Sequence, residues 1–281
     1  MTLEIRPMRA TDVDFAVALT NEEGWDYDSE DFRRFRRMDP EGTLVAWTEG
    51  RRVGITTATA YENATWIGNV IVQPKERGKG YGRALVEEAV HYGEMQGAET
   101  AWLNAYANAE GFYRGLGFAA HGRSWRYEGK AEGRLADEPR LVHASELDAL
   151  TTFDRPYFGN ERGKVLTEFY HDYGDAFFVW SEEDLRGYAV GARYAGGMDV
   201  APWVAPPDRP DIAEALLLHL LAAFPDRQVA VAVPEENKAA LGLLEDLGFE
   251  PAFETLRMAH GAGSGGIDPR GIFGLGGLEK G

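Results

Sequence analysis

The stretch Val70-Ile71-Val72-Gln73-Pro74-Lys75-Glu76-Arg77-Gly78-Lys79-Gly80-Tyr81-Gly82-Arg83-Ala84-Leu85 decides the fold. It reads as a buried strand, a basic glycine-rich loop and the start of an amphipathic helix. Glycines at 78, 80 and 82 let the backbone turn so that successive N–H groups face one concavity. Such a nest at a helix N-terminus binds phosphate. Lys75, Arg77, Lys79 and Arg83 surround it, against Glu76 alone, in a chain whose net charge is −17. Two of the six lysines lie here. A loop that resists the acidity of the whole molecule is placed to meet an anion.

Three glycine-loop patterns compete for this segment. A nucleotide-hydrolysing loop needs G-x-x-x-x-G-K-[ST], and the chain has no such run. A dinucleotide fingerprint needs G-x-G-x-x-G, and from Gly78 its last position is Arg83. What remains is R-x-x-G-x-G, filled by Arg77, Gly80 and Gly82, which resembles the pyrophosphate loop of the GNAT acetyltransferase superfamily. Downstream, after the apolar run Ala101-Trp102-Leu103-Asn104-Ala105, comes Asn108-Ala109-Glu110-Gly111-Phe112-Tyr113-Arg114-Gly115-Leu116-Gly117-Phe118. It resembles the second GNAT signature, with Gly111 where the family has alanine. The motifs cover about residues 3–128.

The resemblance implies acetyl-coenzyme A as donor. Val70, Ile71 and Val72 would bind its pantetheine arm through backbone groups, and an N–H near Val70 or Ile71 would polarise the thioester carbonyl. Arg77, Gly78, Lys79, Gly80, Tyr81, Gly82 and Arg83 would hold the pyrophosphate, with Phe112 beside them. Asn108 matches the family asparagine that contacts the cofactor, and it also suits the N-cap of the next helix. Tyr113 matches the family's general acid toward the departing thiolate; its alternative is an amphipathic core tyrosine.

The general base is open. The strand Trp66–Val72 has no carboxylate; Gly68 and Asn69 stand where one would be useful. Glu22, Glu23, Asp26 and Glu62 are the candidates, each also readable as a solvated acid. Trp25 beside Asp26 offers an aromatic wall and a carboxylate for a cationic amine, and Asn69 completes the acceptor-site candidates. Phe153-Asp154-Arg155-Pro156-Tyr157-Phe158-Gly159 either faces the acceptor or packs an interface, and packing is the simpler reading.

Around this nucleus the expected order is strand (Leu3–Arg6), helix from Thr11 with Asp14 as capping partner, helix from Ser29, and strands Leu44–Thr48 and Val53–Tyr61 across Glu49–Arg52. Strand Trp66–Val72, helix 82–96 closed by Gly97, and strand Arg123–Tyr127 complete it. Residues 129–140 read as a linker. The pattern then repeats: strands Phe177–Trp180, Gly187–Tyr194 and Met198–Val204, helix Ile212–Phe224, strand Val229–Val233. Asn237–Phe249 echoes Asn108–Phe118. The fold expected is α/β (α+β): two tandem GNAT-like units, each a mostly antiparallel mixed sheet flanked by helices, over 1–130 and 138–281. In the second unit Ala205-Pro206-Pro207-Asp208-Arg209-Pro210-Asp211 replaces the glycine loop. Proline offers no N–H and the carboxylates repel phosphate, so one cofactor site is expected. Residues 261–281, with nine glycines, read as a partly ordered tail docking on the second unit.

Composition narrows the chemistry. The chain has no cysteine, which excludes disulfides, thiolate metal sites and a cysteine acyl-enzyme. Its six histidines are scattered without an i,i+4 pair, so no metal site is expected. No run reaches membrane-spanning length and the first residues lack a signal pattern, so a cytoplasmic protein, monomer or homodimer, is expected. Residues 1–130 carry 16 Lys and Arg against 20 Asp and Glu, the remainder 13 against 26, a poor surface for nucleic acid. An acidic, lysine-poor surface also marks salt-adapted proteins; a halophilic source is a hypothesis that a melting temperature unmoved by molar KCl would contradict. The functional expectation is an N-acetyltransferase acting on a primary amine of a small molecule by ternary-complex transfer. A non-catalytic acyl-coenzyme A-binding protein and a protein-amine acetyltransferase are the alternatives.

Overall fold

Apolar residues fill both faces of most strands, the pattern of a sheet covered by helices on either side. In the computed structural model, which describes residues 3–261 and 267–281, all strands join one 13-stranded sheet. Chain order is β1 (Leu3–Pro7), α1 (Val13–Glu22), α2 (Ser29–Met38), β2 (Thr43–Thr48), β3 (Arg51–Ala60), β4 (Ala64–Val72), α3 (Tyr81–Met95), β5 (Thr100–Ala105), α4 (Glu110–Arg114) and β6 (Ala119–Gly129). The second half follows as β7 (Arg140–Leu141), α5 (Leu147–Phe158), α6 (Gly163–Tyr173), β8 (Phe177–Ser181), β9 (Leu185–Tyr194), β10 (Gly197–Val204), α7 (Pro210–Ala223), β11 (Val229–Pro234), α8 (Lys238–Asp246), β12 (Glu250–Gly261) and β13 (Ile272–Gly274).

The strand order is β1-β2-β3-β4-β5-β12-β6-β11-β10-β9-β8-β7, with β13 on β10. The halves mirror each other about the β12–β6 pair, and their last strands are exchanged. β6 pairs with β11 of the second half, and β12 with β5 of the first, all antiparallel. Side chains follow: Tyr127 of β6 packs in the second half's core, and Met258 of β12 in the first half's.

Alternation sorts the helices. Val45, Trp66, Phe177 and Val179 point to the face covered by α1, α2, α5 and α6. Ile67 faces α3 and α4, and Phe178 faces α7 and α8. On the first face Trp66 stacks on Trp102 at 6.1 Å and on Phe158 at 6.4 Å, while Tyr61 meets Phe158 edge-on at 4.8 Å. Each such pair adds about 0.5–1.5 kcal/mol beyond area burial, so the Phe153–Gly159 cluster packs the junction between halves.

Several local expectations need correcting. The β2–β3 turn is only Glu49-Gly50, with φ of 50° and 74°, the both-positive geometry that matches strand twist. Helix α1 is not started by Thr11 and Asp14. Asp12 is wholly buried and accepts from Arg9 N at 2.9 Å, drawn inward by Arg6 at 2.8 Å and Arg52 at 2.7 Å. Helices α5 and α6 were not expected; Pro156 sits in the last turn of α5 and masks its helical pattern. The glycine-rich tail extends beyond the second half: after β13, Leu275–Gly281 crosses to the first half. Its glycine-rich part at 262–266 lies outside the described residues.

Candidate active site

Parallel strands β4 and β5 pair only at Ala64–Trp66 with Thr100–Trp102, then separate. Beyond that point β4 carries a bulge: its register with β3 skips Asn69 and Val70, and Asn69 takes φ 52°. Asn69 is 5% exposed and donates from Nδ2 to Thr57 Oγ1 at 3.1 Å, which holds the bulge in place. The result is a cleft walled by Asn69–Val72, in which Asn69 and Val70 leave the β3 ladder and Ile71 and Val72 rejoin it.

The corresponding gap in the second half is filled. β10 and β11 pair only at Met198–Asp199 with Val229–Ala230. There β13 lies on β10, with Phe273 buried and Leu275 N donating to Ala232 O of β11 at 2.8 Å. The second half therefore has no open cleft between these strands.

The glycine loop leads from β4 into α3. Gly78 has φ 79°, and Gly80, the N-cap of α3, has φ 86°. A Cβ built at either would meet no atom within 4 Å. Conformation, not crowding, requires glycine there, and the space before the α3 N-terminus is open for an anion. Gly82 differs from expectation: it is ordinary helix, and its Cβ would lie 3.5 Å from Phe112. The cations are also less free than expected. Arg77 donates from Nε to Val72 O at 2.9 Å and pairs with Glu23; Lys79 binds Glu76 at 2.8 Å; Arg83 reaches Glu87 at 3.3 Å. What faces this space is foremost the set of backbone N–H groups of the α3 first turn, which a helix leaves without internal partners.

Tyr113 on α4 is 9% exposed, lines the cavity and meets Phe112 at 5.0 Å and Phe118 at 5.9 Å. Burial pushes its hydroxyl up to about 12, so it stays protonated at neutral pH. Asn108 also lines the cavity. Its N-cap reading fails, because α4 is capped at Ala109 without a side-chain bond. Phe112 is 41% exposed at the mouth of the loop.

The cleft opens into a cavity of about 1210 Å³. Trp25, Asp26 and Asn69, the acceptor-site candidates of the sequence, all line it. Trp25 stands 6.4 Å from both Tyr27 and Tyr106. Glu23 lines it too but is engaged by Arg77, whereas Glu22 and Glu62 are not in its wall; Glu62 pairs with Arg155 at 3.0 Å. The opposite wall comes from residues the sequence did not flag: Arg126 of β6, Tyr194 of β9, Asp199 of β10 and Phe253 of β12. Burial raises Asp199, and Arg126, at 2.9 Å, opposes that rise. No local motif marks these residues: strand exchange brings Arg126 and Phe253 there, and continuity of the sheet across the β12–β6 pair brings Tyr194 and Asp199.

Among the described residues one group has metal-ligand spacing, Glu168, His171 and Asp172. Arg37 already binds Glu168 at 2.6 Å and Arg34 binds Asp172 at 2.5 Å, so the carboxylates are neutralised by an arginine network. No helix among the described residues is long and apolar enough to cross a membrane.

Comparison with known proteins agrees with this geometry. Residues 13–118 match the model of the acetyltransferase (GNAT) family, and residues 150–274 match that of an acetyltransferase (GNAT) domain. The chain belongs to the GNAT acetyltransferase superfamily, as a tandem member. This tandem acetyltransferase is 26% identical over 245 residues to holothin acyltransferase of Pseudoalteromonas sp. (strain SANK 73390), covering 85% of this chain and 81% of that one. It is 32% identical over 120 residues to streptothricin acetyltransferase of Streptomyces lavendulae, covering 41% of this chain and 60% of that one. In fold it resembles an acetyltransferase-class protein of Pyrococcus horikoshii at TM-score 0.85 and 22% identity, over 99% and 96% of the two chains. A tandem GNAT protein of the clavulanic acid biosynthesis pathway follows at TM-score 0.63 and 17% identity, over 93% and 99%.

Proposed function

We propose that this acetyltransferase moves the acetyl group of acetyl-coenzyme A to a primary amine of a small molecule, directly within a ternary complex. The observation that carries the reading is the asymmetry of the two clefts. One is open, runs from the Gly78–Gly80 nest past Asn69–Val72 and Tyr113, and empties into a cavity lined by aromatics and by charges of both signs. The other is filled by β13. When bound, the donor supplies an activated acetyl thioester. The residues that would hold it are Val70, Ile71 and Val72 along the arm, Arg77–Arg83 and Phe112 at the pyrophosphate, and Asn108 nearby.

The chain's own part is orientation and proton handling. Backbone groups at the Asn69–Val70 bulge are free of β3 and can stabilise charge on a carbonyl oxygen. Tyr113, held neutral by burial, can give its proton to a departing thiolate. Trp25, Tyr27 and Asp26 favour a cationic acceptor. The relatives named for holothin and streptothricin support a small-molecule acceptor over a protein one. A cytoplasmic location and a salt-adapted surface belong to the same proposal. The test is a panel of primary amines incubated with acetyl-coenzyme A and assayed for free thiol. Amine-dependent thiol release is expected; tight donor binding with no release from any amine would instead fit a non-catalytic binder.

A further inference from the structure

We infer that Glu279, carried onto β4 by the final segment, receives the acceptor's ammonium and takes its proton. This rests on the amine-acetyltransferase reading above. An ammonium must lose a proton before its nitrogen can attack, and β4 has no carboxylate to accept it. Its residue 68 is glycine, on the same face as Trp66. That glycine has a reason: a Cβ there would lie 2.2 Å from the Cβ and 2.7 Å from the Cα of Glu279. The missing side chain is space for another segment's backbone at Glu279, one residue before the Asn69 bulge, and that close approach sets the carboxylate-bearing residue against β4.

The segment is clamped from both halves. Asn104 Nδ2 of β5 donates to Leu278 O at 2.9 Å, and the Tyr61 hydroxyl to Lys280 O at 2.6 Å. From the second half, Arg162 donates to Gly281 O at 2.9 Å while its other nitrogens hold buried Asp154, both at 2.7 Å. Gly276 N also donates to Gly281 O at 2.9 Å, closing the segment on itself. Glu279 is thus fixed rather than trailing.

The Glu279 side chain is 13% exposed and lines the cavity. Among the described residues its carboxylate has one hydrogen-bond donor, Lys280 Nζ on Oε1. Lys280 Nζ lies 5.5 Å from the ring centres of both Phe35 and Phe169. An ammonium held between a carboxylate and aromatic faces already exists at this point, which is the chemistry an amine acceptor needs. The charged and titratable groups facing Glu279 are Lys280 beside it, Tyr27 before α2, Tyr61 after β3 and Asp199 on β10.

The protons balance as follows. One leaves the acceptor ammonium for Glu279 Oε2 and passes to solvent. The neutral nitrogen attacks the thioester carbonyl carbon, the C–N bond forms and the C–S bond breaks. Tyr113 protonates the sulfur and regains a proton, through solvent, from the nitrogen.

The test uses the full chain and the best amine of the panel. Glu279→Gln should lower kcat at least about 100-fold. It should also abolish the acidic limb of the kcat–pH profile and weaken amine binding, titrated without donor, about tenfold. Donor affinity should stay within about twofold. Glu279→Asp keeps the charge and should keep the acidic limb at reduced kcat. Wild-type kcat with an intact acidic limb in Glu279→Gln, or loss of that limb in Glu279→Asp, overturns the assignment alone. A wild-type chain that releases no thiol with any amine overturns the reading beneath it as well.

Discussion

Tyr113 shows how one side chain can be read from sequence in identity but not in state. Its motif marks it for the donor side, yet only packing against Phe112 and Phe118 explains a hydroxyl held near 12. Desolvation disfavours the phenolate, so the hydroxyl is a protonated donor across the working pH range. Tyr113→Phe keeps the ring contacts and removes the proton. Its kcat should fall about 10²–10³-fold with unchanged donor affinity, and kcat in the wild type should show no descending limb from this group below about pH 11. Near-full turnover in the variant would remove Tyr113 from the chemistry. Asn108 illustrates the opposite case: of its two sequence readings, the cap disappeared because the N-cap of α4 falls one residue later, on Ala109.

At the level of elements, the first helix depends on a buried ion cluster rather than on a surface cap. Asp12 holds Arg6, Arg52 and Arg9 N. Burial alone would raise its carboxyl, but the two guanidinium hydrogen bonds outweigh it and lower it to about 2. A folded value below the unfolded one means that its stabilisation is complete above about pH 4 and is lost as pH falls toward 2. Asp12→Asn should therefore cost about 2–4 kcal/mol at pH 7 in urea unfolding and flatten the loss of stability between pH 4 and 2. An unchanged acid limb would show that other carboxylates dominate it. Regular elements with clean periodicity, such as α3 and α7, were legible. α5 was not, because its terminal proline and the charge of Asp154 interrupt the apolar pattern, a charge that Arg162 meets at 2.7 Å in the core.

The whole molecule holds what no window of sequence could reveal. Tandem repetition was visible in Asn108–Phe118 and Asn237–Phe249, and so was the loss of the second glycine loop. Exchange of β6 and β12 was not, since strand partners hundreds of ångströms of chain apart leave no local signature. The same holds for β13 in the second cleft and for Glu279 on Gly68. These long-range pairings make two similar halves unequal: one keeps an open cleft, and residues of the other line the cavity it opens into. The direct test of that division is calorimetric titration of acetyl-coenzyme A into the full chain. One molecule should bind per chain, and Gly80→Asp should abolish binding while lowering the melting temperature by only a few degrees, the strain of one side chain at positive φ. Aspartate tolerates the positive φ of residue 80 better than most side chains, and its Cβ meets no atom within 4 Å, but its charge opposes the pyrophosphate. Two bound molecules per chain, or undiminished binding in Gly80→Asp, would contradict a single donor site at this loop.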